Sequence, residues 1–322
     1  DNTVDPDRLP RGPGAALPTQ ASEEPYYIGK LDVFADEDTI VSAGFGQGDN
    51  GHRVSVRSTT DGRLIHGRWR IGYEQDLACA TTPDGRRIVV VAESSGWLAA
   101  YDLETGNEIE TTRADDHRLY AVHACDFGNG PFVITGGQDG IAKAWSLPLL
   151  QPIKPAVATH SWSVTGVATA LLRDGTPVVV TAGGDTTTLT RLADLTTLAV
   201  LQYSAYAVGA LNLPGGRAVA IIGARDDSLL LWDLNQPEDI YSTSNDRNLD
   251  TIACTVTNDG KALAATVQNH WFVTVWDVAS NTKIETYAFP AHPTSVALDR
   301  RGSLFVAYKG GIARLDLSQE QR

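Results

Sequence analysis

Short apolar runs alternate with polar turns along almost the whole chain. The clearest runs cover residues 88–91, 178–180 and 218–222, and each follows a turn that contains glycine. Apolar runs of this length, rich in β-branched residues and bounded by turns, predict buried strands. Turns such as Asp174-Gly175 favour tight hairpins because both residues tolerate a positive φ. No segment predicts a long helix, so the pattern indicates an all-β fold.

A longer repeat is superimposed on this alternation. Seven segments share an apolar strand that ends at a marker position, and the clearest copies cover residues 228–234 and 272–278. The marker positions are Arg57, Tyr101, Trp145, Arg191, Trp232, Trp276 and Leu315. Successive markers are 44, 44, 46, 41, 44 and 39 residues apart, and a period of about 40–45 residues is the length of a four-stranded propeller blade. The sequence therefore predicts a seven-bladed β-propeller of four-stranded antiparallel blades.

The seven copies resemble the WD-repeat β-propeller family over about residues 26–317. The excess of Arg over Lys is typical of a GC-rich genome and suggests a divergent bacterial member. In that family a His, a Ser or Thr, an Asp and a Trp lock each blade. The resemblance implies that this tetrad in blade three is His117, Thr135, Asp139 and Trp145.

The other blades match the tetrad less well. Blade four keeps His160, Thr181 and Asp185, with Arg191 in the place of the tryptophan. The resemblance therefore predicts the fold but not equally stable blades.

The repeat also predicts the domain organisation. Residues 1–14 are polar and rich in Pro and Gly, as expected for a linker or extended tail. Residues 15–322 then form a single seven-bladed propeller. Because the chain stops soon after the third strand of blade seven, the family implies that an N-terminal strand near residues 15–19 closes the ring. The chain has no Met, and we expect it to be a propeller excised from a larger protein.

Charge and composition narrow the classes of partner. The formal net charge is −13, whereas nucleic acids and anionic membranes require a basic surface. No apolar run reaches the roughly 18 residues of a membrane span. The expectation is a monomeric cytoplasmic domain that binds neither nucleic acid nor membrane. Cys79, Cys125 and Cys254 are too widely spaced for a metal motif or a disulfide framework, so we expect free thiols.

Candidate chemistry is sparse. His123 lies two residues before Cys125 on a predicted inner strand and suggests a nucleophile pair, but no third group to orient the pair is visible. Asp76 and Asp126 are the other groups expected near the channel. The glycine-rich segment 44–48 lies in a predicted hairpin loop, which does not favour phosphate binding. We therefore assign no catalytic, cofactor-binding or metal-binding residue.

Aromatic residues recur in the loops that lead into the inner strands. The predicted partner-binding rim consists of Tyr73, Arg118, Tyr120, Trp162, Tyr206 and Arg247. Tyr, Trp and Arg are common interface anchors because they bury large areas at low entropic cost. Alternatively, each aromatic side chain packs on its neighbouring blade. Trp97 and Trp271 are expected near the opposite rim or the side, as packing residues.

Together these features predict a non-enzymatic scaffold or sensor domain. It would recognise a protein or peptide on a propeller rim and would be attached to an effector domain in the parent protein. Two alternatives remain open at this stage. One is a hydrolase or lyase with its site in the central channel, and the other is a propeller that binds carbohydrate through the rim aromatics.

Overall fold

The secondary structure is entirely β in the part of the chain that the computed structural model describes, namely residues 15–16, 25–34, 38–46, 51–244, 249, 251–268, 270–309 and 311–317. Within these ranges 28 strands form seven antiparallel sheets of four strands, arranged as blades in a ring. The predicted all-β fold and the seven-bladed propeller are confirmed.

The first four blades follow the chain in order. Blade one contains β2 (Pro25–Val33), β3 (Thr39–Gly46), β4 (His52–Ser58) and β5 (Leu64–Ile71). Blade two contains β6 (Glu74–Thr81), β7 (Arg87–Glu93), β8 (Trp97–Asp102) and β9 (Glu108–Arg113). Blade three contains β10 (Leu119–Cys125), β11 (Phe132–Gly137), β12 (Ile141–Ser146) and β13 (Pro152–Thr159). Blade four contains β14 (Val164–Leu171), β15 (Pro177–Gly183), β16 (Thr187–Arg191) and β17 (Thr197–Leu201).

The remaining blades continue the same order. Blade five contains β18 (Ala205–Asn212), β19 (Ala218–Ala224), β20 (Leu229–Asp233) and β21 (Ile240–Ser244). Blade six contains β22 (Ile252–Val256), β23 (Ala262–Gln268), β24 (Phe272–Asp277) and β25 (Thr282–Ala288). Blade seven contains β26 (Pro293–Leu298), β27 (Ser303–Tyr308) and β28 (Gly311–Asp316), with β1 (Ala15–Ala16) as its fourth strand.

Burial follows the position of a strand within its blade. Every residue of β19 and β23 is buried, because a second strand is covered by sheets on both sides. The outer strand β9 has no fully buried residue. Gly85, Gly175 and Gly260 sit in the tight turns before second strands with φ between 83° and 84°, as the Asp-Gly turns predict.

The hydrophobic core lies between adjacent blades. Trp232 of blade five packs in one buried cluster with Val180 of blade four. Phe305 of blade seven shares a cluster with Ile28 of blade one, so the last and first blades pack together. A buried apolar cluster of this kind lies at each of the seven interfaces between blades.

The N-terminal strand is short. Ala15 pairs with Arg314 and Ala16 with Ala313 in an antiparallel ladder. Ring closure by an N-terminal strand stays a prediction, because residues 17–24 and the predicted tail 1–14 lie outside the described residues. In the described part of the chain, no helix is long and apolar enough to cross a membrane.

Candidate functional site: one face and the channel

The two faces of the disc differ in their exposed aromatic residues. We call the face where each innermost strand begins the aromatic face, and the other the opposite face. Among the residues whose side-chain exposure the structure describes, every exposed Tyr or Trp except Tyr241 belongs to strand ends or turns on the aromatic face. These residues are Tyr27, Tyr73, Trp97, Trp162, Tyr203, Tyr206 and Trp271.

Most of the predicted rim residues lie on this face. Tyr73 is 59% exposed and Trp162 is 68% exposed, and the Tyr73 ring also stacks on His52 of blade one with 4.3 Å between the ring centres. Tyr206 is 41% exposed, and the guanidinium of Arg225 stacks 4.4 Å from the centre of its ring. Arg118 is exposed and Tyr120 is half-buried on the same face. Arg247 lies outside the described residues.

Trp97 and Trp271 were expected near the opposite rim or the side, and the structure places both on the aromatic face. The first strand of a blade leaves this face and the second returns to it, so the turn into the third strand lies beside the start of the first. The Ser94 N–H in one such turn donates to Tyr73 O at 2.8 Å. Trp97 stacks with the guanidinium of Arg113 at 5.6 Å, and Trp271 is 52% exposed.

An open cavity of about 410 Å³ lies on the aromatic face where blades one and two meet. It is lined by Tyr27, Gly29, Lys30, Phe45, His52, Tyr73, Glu74 and Gln75. We call it the blade-one cavity. The sequence interpretation did not identify it, because its walls come from β2, β3, β4 and the segment that begins β6.

A buried carboxylate lies at the base of the blade-one cavity. The Glu74 side chain is 4% exposed, and His52 Nδ1 makes a short contact with its Oε2. Burial raises the pKa of Glu74, whereas His52 and Lys30 oppose the shift. Gly29 leaves room for the other oxygen, since a Cβ at this position would lie 3.0 Å from Glu74 Oε1.

The central channel has a volume of about 470 Å³ and is lined by the innermost strands. Its polar side chains bridge neighbouring blades. The Cys79 N–H donates to Asp32 Oδ2 at 2.8 Å, and the Val122 N–H donates to Asp76 Oδ2 at 2.9 Å. His123 Nε2 lies 3.1 Å from Thr169 Oγ1. These bonds join blade one to two, two to three, and three to four.

His123 and Cys125 do not bond to each other. The His123 ring contacts Thr169, and the Cys125 thiol lies beside Thr169 as well, with Sγ 3.9 Å from Phe132 O. Burial lowers the pKa of His123 to about 4 and raises that of Cys125 to about 12. At neutral pH the imidazole is therefore neutral and the thiol is protonated. Asp126 is exposed and accepts the Gly128 N–H of its own turn at 2.7 Å.

Blade three joins two members of the predicted tetrad and separates the other two. Trp145 Nε1 donates to Thr135 Oγ1 at 3.0 Å, whereas the His117 side chain is 65% exposed. Asp139 accepts from Lys143 Nζ at 2.8 Å. Asp115 is buried instead and accepts the backbone N–H groups of His117 and Asp139.

Blade four contains the His-centred network that the resemblance implies. The His160 side chain is fully buried, and its Nε2 lies 2.8 Å from Thr181 Oγ1. Thr188 Oγ1 bonds Thr181 Oγ1 at 2.7 Å. Thr188 is thus a hydrogen-bond partner of Thr181, as Trp145 is of Thr135 in blade three. The Ser161 N–H donates to Asp185 Oδ2 at 3.1 Å.

No family model matches the chain. The propeller fold therefore rests on the structure, and the WD-repeat resemblance rests on the period and the partial tetrads. In the portion of the chain that the structure describes, no group of three or more His, Cys, Asp or Glu side chains is arranged to hold a metal ion.

Proposed function

We propose that this propeller is a non-enzymatic recognition domain of the WD-repeat type that binds a protein or peptide on its aromatic face. The observation that carries the proposal is the concentration of exposed Tyr and Trp side chains on that face. Tyr and Trp side chains bury a large area at low entropic cost and are enriched among interface hot spots. The domain would serve a bacterial cytoplasmic protein as a monomeric scaffold or sensor joined to an effector domain.

The channel gives a second reason to favour recognition over catalysis. The acid, base and thiol groups in its lining are Asp32, Asp76, Cys79, His123, Cys254 and Asp299. Asp32, Asp76 and His123 bond across blade interfaces. Asp299 accepts backbone N–H groups of its own turn, and burial raises the pKa of Cys254 to about 12. Such groups have evident structural roles, and a hydrolase or lyase would need others.

Selection from a displayed library of random peptides tests the proposal. Peptides are selected on the wild-type domain and then measured on a Tyr73→Ala/Trp162→Ala variant. A Tyr241→Ala variant is the matched control, since Tyr241 is 50% exposed but lies on the outer strand β21. We expect selected peptides whose affinity for the domain falls at least about tenfold in the double variant but not in the control. Selected peptides that bind both variants equally would refute the assignment of the face.

A further inference from the structure

Aromatic rings line the blade-one cavity. The Phe45 and His52 ring centres are 5.4 Å apart, and those of His52 and Tyr73 are 4.3 Å apart. Tyr27 contributes a further wall and is 47% exposed, while Tyr73 is 59% exposed. The mouth of the cavity is thus made of ring surfaces that solvent can reach.

The base of this cavity is formed by the Glu74 carboxyl group. His52 bonds Glu74 Oε2, and Oε1 faces the space that Gly29 leaves open. Lys30 also lines the cavity, but its ammonium group pairs with Asp76 Oδ1 at 3.6 Å. Burial raises the pKa of Glu74, which means that the buried carboxylate gains from a further positive partner.

Aromatic walls above a carboxylate favour one class of ligand. The faces of aromatic rings attract cations, most strongly where water is displaced. Metal ions such as Ca²⁺ or Mg²⁺ need several oxygen ligands, and the described part of this site offers one carboxylate. An anion would be repelled by Glu74. The chemistry therefore suits an organic cation, which brings apolar surface and positive charge together.

We infer that the blade-one cavity binds the cationic end of a partner's side chain, a lysine-type ammonium or a guanidinium. The cation contacts the rings of Tyr27 and Tyr73 and pairs with Glu74 Oε1. This inference rests on the proposed function, because it names the chemistry by which a peptide partner is anchored on the aromatic face.

The test is a titration followed by amide chemical shifts of the whole domain. The probes are short capped peptides that differ only at one central residue, which is lysine, trimethyl-lysine, arginine or norleucine. Norleucine keeps the aliphatic chain without the charge. Saturable shifts at Gly29, Tyr73 and Glu74 are expected for the charged peptides, with affinity at least about tenfold above norleucine. Equal affinity for norleucine, or no saturable shift, would overturn the inference.

Two variants separate charge from shape. Glu74→Gln keeps an acceptor for His52 and removes the negative charge, and it should weaken binding of the charged peptides at least about tenfold. Its matched control is Glu108→Gln, which makes the same charge change at an exposed position on β9. Gly29→Ala should also weaken binding, because its Cβ would meet Glu74 Oε1 at 3.0 Å and Tyr27 Cε1 at 3.6 Å. Unchanged binding in Glu74→Gln would contradict the role of the carboxylate.

Failure of this inference can be distinguished from failure of the proposed function. Library peptides that need Tyr73 and Trp162 but contain no required cationic residue would support the recognition domain and refute the cation cavity. Charged probes that bind the cavity, with no library peptide that loses affinity when Trp162 is replaced, would support the cavity and refute a recognition surface that extends beyond it across the aromatic face.

Discussion

Individual polar side chains join the blades around the channel. Asp32, Asp76 and His123 each reach the innermost strand of the next blade, and the Leu31 N–H donates to Ser295 Oγ at 3.1 Å between blades one and seven. The bonds of Asp32, Asp76 and Ser295 satisfy backbone N–H groups of the innermost strands, whereas the His123 bond joins two side chains. At this scale the titratable groups of the channel have a structural role.

Asp32 should therefore make stability depend on pH. Burial raises its pKa to about 6, against the opposing effect of the Cys79 N–H bond. The folded-state pKa lies above the usual value of 3.8, so the folded protein binds the proton more tightly than the unfolded chain. Protonation of Asp32 therefore stabilises the fold fully below pH 3.8, and this stabilisation is lost as the pH rises through about 6. In the wild type, the free energy of unfolding should therefore fall by up to about 1.4 kcal/mol per pH unit between pH ~4 and ~6, and Asp32→Asn should remove this contribution.

Denaturant unfolding at several pH values measures this slope. Asp174→Asn is the control, since Asp174 is exposed and bonds from Thr176 lower its pKa. The control should leave the slope between pH ~4 and ~6 unchanged. If the free energy of unfolding of Asp32→Asn depends on pH as steeply as that of the wild type, the buried Asp32 is not the group that causes this dependence.

The two His residues predicted to be tetrad members should differ sharply in their effect on stability. His160→Ala removes a fully buried ring and its bond to Thr181, and should cost about 2–4 kcal/mol. His117→Ala removes a side chain that is 65% exposed, and should change stability by no more than about 0.5 kcal/mol. Equal losses in thermal or denaturant unfolding would show that the blade-three tetrad forms in solution.

The exposure of His117 has a physical reason that the sequence motif does not contain. His160 lies four residues before the strand that starts at Val164, and Asp115 lies four residues before the strand that starts at Leu119. Gly183 makes room for His160, and Gly137 makes room for Asp115. Asp115 therefore occupies in blade three the place that His160 occupies in blade four. Because the Asp115 carboxylate fills this place, the His117 side chain lies outside it and is exposed. The presence of a His near the expected position does not show which residue fills the place.

At the scale of strands and turns, much of the architecture follows from the sequence. Residues 88–91, 178–180 and 218–222 all lie in second strands, as their apolar character predicts. The predicted position of Trp97 and Trp271 was wrong. The period of the repeat gives the length of a blade, but the face on which a turn lies also depends on the direction of each strand. The blade-one cavity was missed for a similar reason, since its four walls meet only when two blades pack together.

The N-terminal strand provides the prediction at this scale. Deletion of residues 1–24 removes β1, the partner of β28, and exposes a sheet edge in blade seven. We expect a markedly lower melting temperature by circular dichroism. Deletion of residues 1–14, which spares β1, is the matched control and should have a small effect. An unchanged melting temperature after the longer deletion would refute closure by the N-terminal strand.

The charge of the whole molecule should influence association. A net charge of −13 attracts cationic partners over distances that salt shortens. The association rate of a lysine-containing library peptide should therefore fall several-fold between low and physiological salt, while its norleucine counterpart should change little. Stopped-flow fluorescence with labelled peptides measures both rates. If the association rate of the lysine peptide does not depend on salt, long-range attraction by the net charge does not assist binding.

Recognition on the aromatic face should protect the backbone amides around a bound peptide. Hydrogen–deuterium exchange of the domain with and without a library peptide measures this protection, because exchange reports every amide in one experiment. We expect protection in the turns that carry Tyr73, Trp162 and Tyr206 and at the start of β2. Protection confined to the opposite face, the outer strands or the interior of the channel would contradict recognition on the aromatic face.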